Sequence, residues 1–101
     1  MDWIQCFREY RKEYRAHAIQ KLVEREIDFA EIDEIADNLT AIQEYEDDTP
    51  YPSCLVLGFS KAKRPLHAVF SVNPLNKTVY VITVYEPDVT RWSEDFTRRN
   101  Q

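Results

Sequence analysis

Between Ser53 and Tyr85 three apolar runs, Cys54 to Phe59, Leu66 to Val72 and Val79 to Val84, alternate with two short polar loops. The runs are rich in Val, Ile, Phe and Tyr, and each is too short for an ordinary helix, so strands are expected. The first loop, Ser60 to Arg64, is basic and is followed by Pro65; the second, Asn73 to Lys77, carries Asn-Pro and a second Asn. Both are turn-forming and far shorter than the dozen or so residues that a parallel crossover needs. The stretch therefore predicts an antiparallel three-stranded meander.

A register follows if the first hairpin is centred on Ala62 and the second on Leu75. Leu57, His67 and Thr83 then share one face, with Leu55, Val69 and Val81 beside them and Phe59, Pro65 and Tyr85 at the end. The opposite face collects Cys54, Val56, Gly58, Leu66, Ala68, Phe70, Val72, Tyr80, Ile82 and Val84, because side chains alternate along a strand. That second face is almost wholly apolar and is expected to carry the helices. The first is mixed, with His67, Ser71, Thr83 and Tyr85 among aliphatics, and is the expected place for a site.

Asp2 to about Glu26 predicts helix, with Trp3, Phe7, Tyr10, Tyr14, Ala18 and Leu22 at spacings of three and four and Asp2 as N-cap. Whether it is one helix or two, broken near Arg15 and Ala16, propensity leaves open. Asp28 and Glu31 form a capping-box pattern ahead of Phe29, Ile32, Ile35, Ala36 and Leu39, and Asn38 is a reasonable terminator. Ala41 to Glu46 is a weaker strand candidate at an edge. Beyond Glu86-Pro87, Asp88 or Thr90 would cap a short terminal helix bearing Val89, Trp92 and Phe96. The expected fold is α+β: N-terminal helices packed on one face of an antiparallel sheet, a three-stranded central meander plus an edge strand, and a short C-terminal helix.

A chain of 101 residues with 44% hydrophobic and 13% aromatic content predicts one folded domain over 1–101. One glycine excludes a glycine-rich phosphate loop. No apolar run approaches a membrane span, and the N-terminus has neither the basic nor the apolar region of a signal peptide. Cys6 and Cys54 are isolated, no Cys or His spacing fits zinc, and free thiols point to a reducing, cytoplasmic compartment. The net charge of −5 argues against a protein built to grip nucleic acid over its whole surface. Cations nevertheless cluster at Arg8 to Lys21, Lys61 to Arg64 and Arg91 to Arg99, which leaves room for a local basic surface.

His17 and His67 are the side chains most easily poised for proton transfer. His17 shares a helix face with Lys21, and periodicity favours a solvated face there over a site. His67 lies mid-strand beside Thr83 in this register; a half-buried, hydrogen-bonded histidine is the plainer reading, catalysis the sharper one. Tyr85 ends a central strand, either as a core aromatic with its hydroxyl at the rim or as a phosphate or base contact. Arg91, Arg98 and Arg99 clamp phosphates or keep the C-terminal helix soluble. The acidic run from Glu31 to Asp37 reads as a solvated face.

Three motifs in order carry a family resemblance: His17-Ala18, Lys21 and Glu24-Arg25-Glu26-Ile27; Ser53 to Gly58 followed by Arg64-Pro65-Leu66-His67; and Ile82 to Asp88 with Arg91-Trp92 and Phe96 beyond. Over Tyr14 to Arg99 the chain resembles the small bacterial domain of unknown function DUF4258, a type placed near the RelE/ParE toxin superfamily. Residues 1–13 fall outside it as an extra helical segment. Lys21 stands where the pattern often has Arg, and Glu26 where it often has Gly, a matter of the helix C-terminus. The resemblance implies a RelE-like fold and the toxin half of a toxin–antitoxin pair, acting as an endoribonuclease without metal or cofactor. RNA is then the substrate and an antitoxin protein the partner. It implies His17, His67 and Tyr85 as catalytic groups, with His67 or His17 as base or acid and Tyr85 stacking or donating; Lys21, Arg25 and Arg91 would hold phosphate. The alternatives are a non-catalytic protein-interaction module on the same fold and a small-ligand domain with a pocket of Leu57, Val69 and Val81.

Overall fold

A computed structural model of the chain describes residues 1–100. Three helices, α1 (Trp3–Glu9), α2 (Ala16–Glu24) and α3 (Phe29–Ile35), the last continued by a 3-10 turn at Ala36–Asn38, precede most of the sheet. The strands are β1 (Arg11–Tyr14), β2 (Thr40–Tyr45), β3 (Ser53–Phe59), β4 (Pro65–Asn73) and β5 (Thr78–Tyr85). They form one mixed sheet in the order β1-β5-β4-β3-β2. The meander is β3–β4–β5, and β2 pairs antiparallel with β3 at one edge. At the other edge β1 runs parallel to β5, so the sheet is not wholly antiparallel.

That parallel strand corrects the expected helical stretch from Asp2 to Glu26. Tyr10 and Tyr14 do fit a helical stripe, but Arg11 to Tyr14 pairs with Thr78 to Val81 instead. Pairing of that kind is set by the partner strand and overrides local propensity.

The first hairpin has the expected register, with Leu57 opposite His67 and Phe59 opposite Pro65. The second does not. Phe70 faces Val81 and Val72 faces Val79, then a bulge shifts the ladder so that Val69 faces Thr83 and His67 faces Tyr85. Ile82 is the extra residue of that bulge. Val79 and Val81, rather than Tyr80 and Ile82, therefore join the helix-bearing face, and Tyr85, rather than Thr83, stands beside His67.

The helix-bearing face is the main core. Phe70 takes Trp3 and Phe7 at ring-centroid distances of 6.0 and 4.9 Å, and Leu22, Ile27, Ile32 and Ile35 pack on the same side. All three helices are short, so this burial rather than intrinsic propensity holds them. Asp2 caps α1 by accepting from the Gln5 N–H, and Asp28 with Glu31 forms the capping box of α3. α2 ends in a Schellman pattern: the Glu26 and Ile27 N–H groups donate to Val23 and Leu22 carbonyls, with Glu26 left-handed at φ 56°. The Asn38 amide closes the turn after α3, donating to the Phe59 carbonyl at 2.9 Å and accepting its N–H at 2.6 Å. The chain's one glycine is explained here: a Cβ on Gly58 would lie 2.5 Å from the Ile35 Cβ and 2.9 Å from its carbonyl oxygen.

Among the described residues no helix follows Tyr85, contrary to expectation. The Asp88 carboxylate accepts the Thr90 N–H and hydroxyl at 2.8 and 2.7 Å, and Asp95 accepts both groups of Thr97 and the Ser93 hydroxyl. Such local side-chain bonds compete with helix. Phe96, at φ 62°, cannot continue one, and Trp92 bridges back to Arg99. Residues 87–100 instead form an irregular strap over the mixed face. Among the described residues no helix is long and apolar enough to cross a membrane.

Candidate functional site

The strap converges on His67, which is fully buried in the middle of the sheet. Its Nε2 lies 2.8 Å from the Phe96 carbonyl oxygen and its Nδ1 3.2 Å from the Tyr85 hydroxyl. A carbonyl only accepts, so Nε2 carries the ring proton; Nδ1 is then a lone pair that accepts from Tyr85 O–H. The Trp92 ring stands edge-on to the imidazole at 4.4 Å. Burial, chiefly, holds the His67 pKa below its ordinary 6.5; the Phe96 carbonyl opposes this and the Arg99 charge adds to it. Burial likewise raises the Tyr85 hydroxyl above its ordinary 10.0, with Arg99 pulling the other way.

Tyr85 opens onto a cleft of about 570 Å³ also lined by Glu86, Arg91, Trp92, Arg99 and Asn100. The Arg99 guanidinium sits 5.3 Å from the Trp92 ring centroid. Where β1 stops, the remaining edge of β5 is covered by Arg25, whose Nη1 donates to the Val84 carbonyl at 2.9 Å and the Thr83 hydroxyl at 3.0 Å. Arg64 fixes that corner. It donates to the Arg25 and Glu26 carbonyls at the end of α2 and pairs with Glu31 of α3 and Glu86 beyond β5.

Of the residues singled out by sequence, Tyr85 and Arg91 line the cleft, His67 lies beneath it, and Arg25 borders it two residues away along β5. His17 and Lys21 precede Arg25 by two and one helical turns on the same stripe of α2. They are not joined to the cleft. Lys21 Nζ is held 3.1 Å from Glu24, and His17 is exposed with no side-chain hydrogen bond or ion pair among the described residues. The expected pocket of Leu57, Val69 and Val81 is not formed: Leu57 and Val81 are buried, and Val81 faces the helices. Sequence reasoning missed Arg64 as the joint and Trp92 as the wall of the cleft. The Arg64-Pro65 step opening a strand was the one available signal for the former.

Arg15, Arg25, Arg98 and Arg99 make no ion pair among the described residues, whereas Arg64 and Arg91 do. No three His, Cys, Asp or Glu side chains among the described residues come together as a metal centre.

Fold and site together define an α+β domain with a five-stranded mixed sheet and a tyrosine–histidine pair at the end of its meander. The chain belongs to the family described as Domain of unknown function (DUF4258), whose model matches residues 14–86. That span takes in α2, α3 and β2 to β5, and leaves α1 and the strap outside. No curated protein matches the chain.

Proposed function

We propose that the chain is a RelE-like toxin, a bacterial endoribonuclease that works without metal at the Tyr85 cleft and is restrained by an antitoxin protein. One observation carries the reading: Tyr85 donates to a neutral, buried His67 whose other nitrogen is anchored on a carbonyl, beside Arg91 and Arg99. This is a proton relay next to positive charge, which phosphodiester cleavage requires.

In the step we envisage, a ribose 2′-hydroxyl gives its proton to the Tyr85 oxygen as Tyr85 passes its own to His67 Nδ1. The 2′-oxygen bonds to phosphorus, the bond from phosphorus to the 5′-oxygen breaks, and that oxygen takes a proton from water in the open cleft. Arg91 and Arg99 carry the charge that builds on the phosphorane. The products are a 2′,3′-cyclic phosphate and a 5′-hydroxyl; His67 returns its proton through Tyr85 to the hydroxide that the water leaves. His67 touches no substrate here and acts through Tyr85.

A second reading, a non-catalytic interaction module on the same fold, is favoured by the complete burial and satisfied hydrogen bonds of His67. Induced expression in a bacterial host, with RNA ends mapped, separates the two. The nuclease reading expects growth arrest and new 5′-hydroxyl ends, both relieved by Tyr85→Phe. Arrest without new ends would favour the module, and normal growth with intact RNA would sink the toxin reading in that host.

A further inference from the structure

The mixed face extends past the cleft. At its far end the rings of Tyr51 and Tyr80 stack at 5.7 Å with planes only 7° apart. The Asn73 amide donates to the Tyr51 hydroxyl at 2.9 Å and fixes that ring. The pair borders a hollow of about 360 Å³ that Arg15, Ser71 and Ile82 also line. Asp48 lies in the same hollow, but its carboxylate accepts the Ser53 hydroxyl. Arg15 is exposed and has no carboxylate partner among the described residues. From the hollow's edge at Ile82, 48% exposed on the bulge, the way to the Tyr85 cleft passes Thr83, which holds the Arg25 guanidinium. Along β5 the span from Tyr80 to Tyr85 is at most roughly 16 Å at about 3.3 Å per residue.

We propose that single-stranded RNA runs along this face, with one base against Tyr85 in the cleft, another on the Tyr51–Tyr80 pair, and its phosphates on Arg25 and Arg15. The inference rests on the nuclease reading of the Tyr85 cleft and adds a second, sequence-tolerant stacking subsite. Aromatic faces accept any unpaired base, and cations beside them follow the backbone. A duplex keeps its bases stacked on one another and cannot use such platforms. The arrangement also reconciles an acidic protein with an acidic substrate. Net charge is −5, yet Arg15, Arg25 and Arg99, which make no ion pair among the described residues, lie along this route.

The test is fluorescence anisotropy with labelled oligouridylates of two and eight nucleotides on the full chain carrying Tyr85→Phe, which keeps the ring and removes the relay. The octamer is expected to bind at least about tenfold tighter than the dimer, the gain that one more stacked base carries. Adding Tyr51→Ala or Arg15→Ala should collapse that advantage, and Arg15→Ala should also lower the salt dependence by about one released ion. Arg15 is a surface residue, so its variant decides the matter if Tyr51→Ala proves unstable. Equal binding of both lengths, equal binding of a duplex octamer, or an octamer indifferent to Arg15→Ala overturns the proposal. Length-dependent binding by a wild-type chain that leaves RNA intact would keep the track and sink the nuclease; cleavage without length dependence would do the reverse.

Discussion

On one side of the sheet Phe70 meets Trp3 and Phe7, and the contact is apolar throughout; on the other His67 meets Trp92, Tyr85 and a main-chain carbonyl. The first side is covered by helices, the second by an irregular strap held through local Asp bonds and one imidazole. Apolar burial is non-directional and strong, whereas a buried polar group must be matched bond by bond. The helix-bearing side therefore specifies the fold, and the strapped side is matched bond by bond around one buried imidazole. Both covers draw on segments outside the family match, α1 on one side and the strap on the other.

The sharpest way to break this contrast is to empty each side in turn. Phe70→Ala should cost about 3–5 kcal/mol in urea unfolding, the usual loss for a large core aromatic. Gly58→Ala tests the same side by overfilling: the new methyl strikes Ile35, and a loss of about 3 kcal/mol is expected. On the strapped side the Trp92 ring is itself buried, and Trp92→Ala should cost about 3 kcal/mol, the low end for a large aromatic, because the strap around it opens locally. Its mark in hydrogen exchange is early opening of the Ser93 and Asn100 amides, which bond within the strap, with β4 still protected. Global unfolding as severe as that of Phe70→Ala would mean that the two sides are one cooperative unit.

Two smaller effects refine the picture. Glu26→Gly should stabilise by about 1 kcal/mol, since a left-handed residue at the end of α2 suits glycine. Acidification acts on the strapped side. The folded pKa of His67 is depressed below 6.5, so its contribution is full above that pH and is lost as pH falls through the lower folded value. Thermal melts should therefore show a lower Tm at pH 5 than at pH 7.5, with the strap opening first; a higher Tm at pH 5 contradicts the buried neutral imidazole.

How much of this was legible in the sequence differs by side as well. The meander, the Ala62-centred hairpin and the apolar set of β3 and β4 follow from alternation alone, because nothing interrupts those strands. The second hairpin was misread because Val81-Ile82-Thr83 is uniformly strand-forming and gives no sign of a bulge. β1 was hidden because Arg11 to Tyr14 carries charge rather than β-branching and owes its form to β5. The strap looked helical by spacing, but Asp88 and Asp95 each turn the chain on themselves. The site was half visible. Tyr85, His67, Arg25 and Arg91 were named, but the tautomer, the Phe96 carbonyl and the Trp92 wall depend on where an irregular segment folds back.

The most direct measurement is single-turnover cleavage of a single-stranded RNA by the purified chain at pH 7.5, wild type beside Tyr85→Phe, with both shown to be folded. The account predicts 2′,3′-cyclic phosphate ends and a rate about 100-fold lower for Tyr85→Phe, the scale of a lost proton-transfer group. Intact RNA with the wild type, or equal rates for the two, would contradict it.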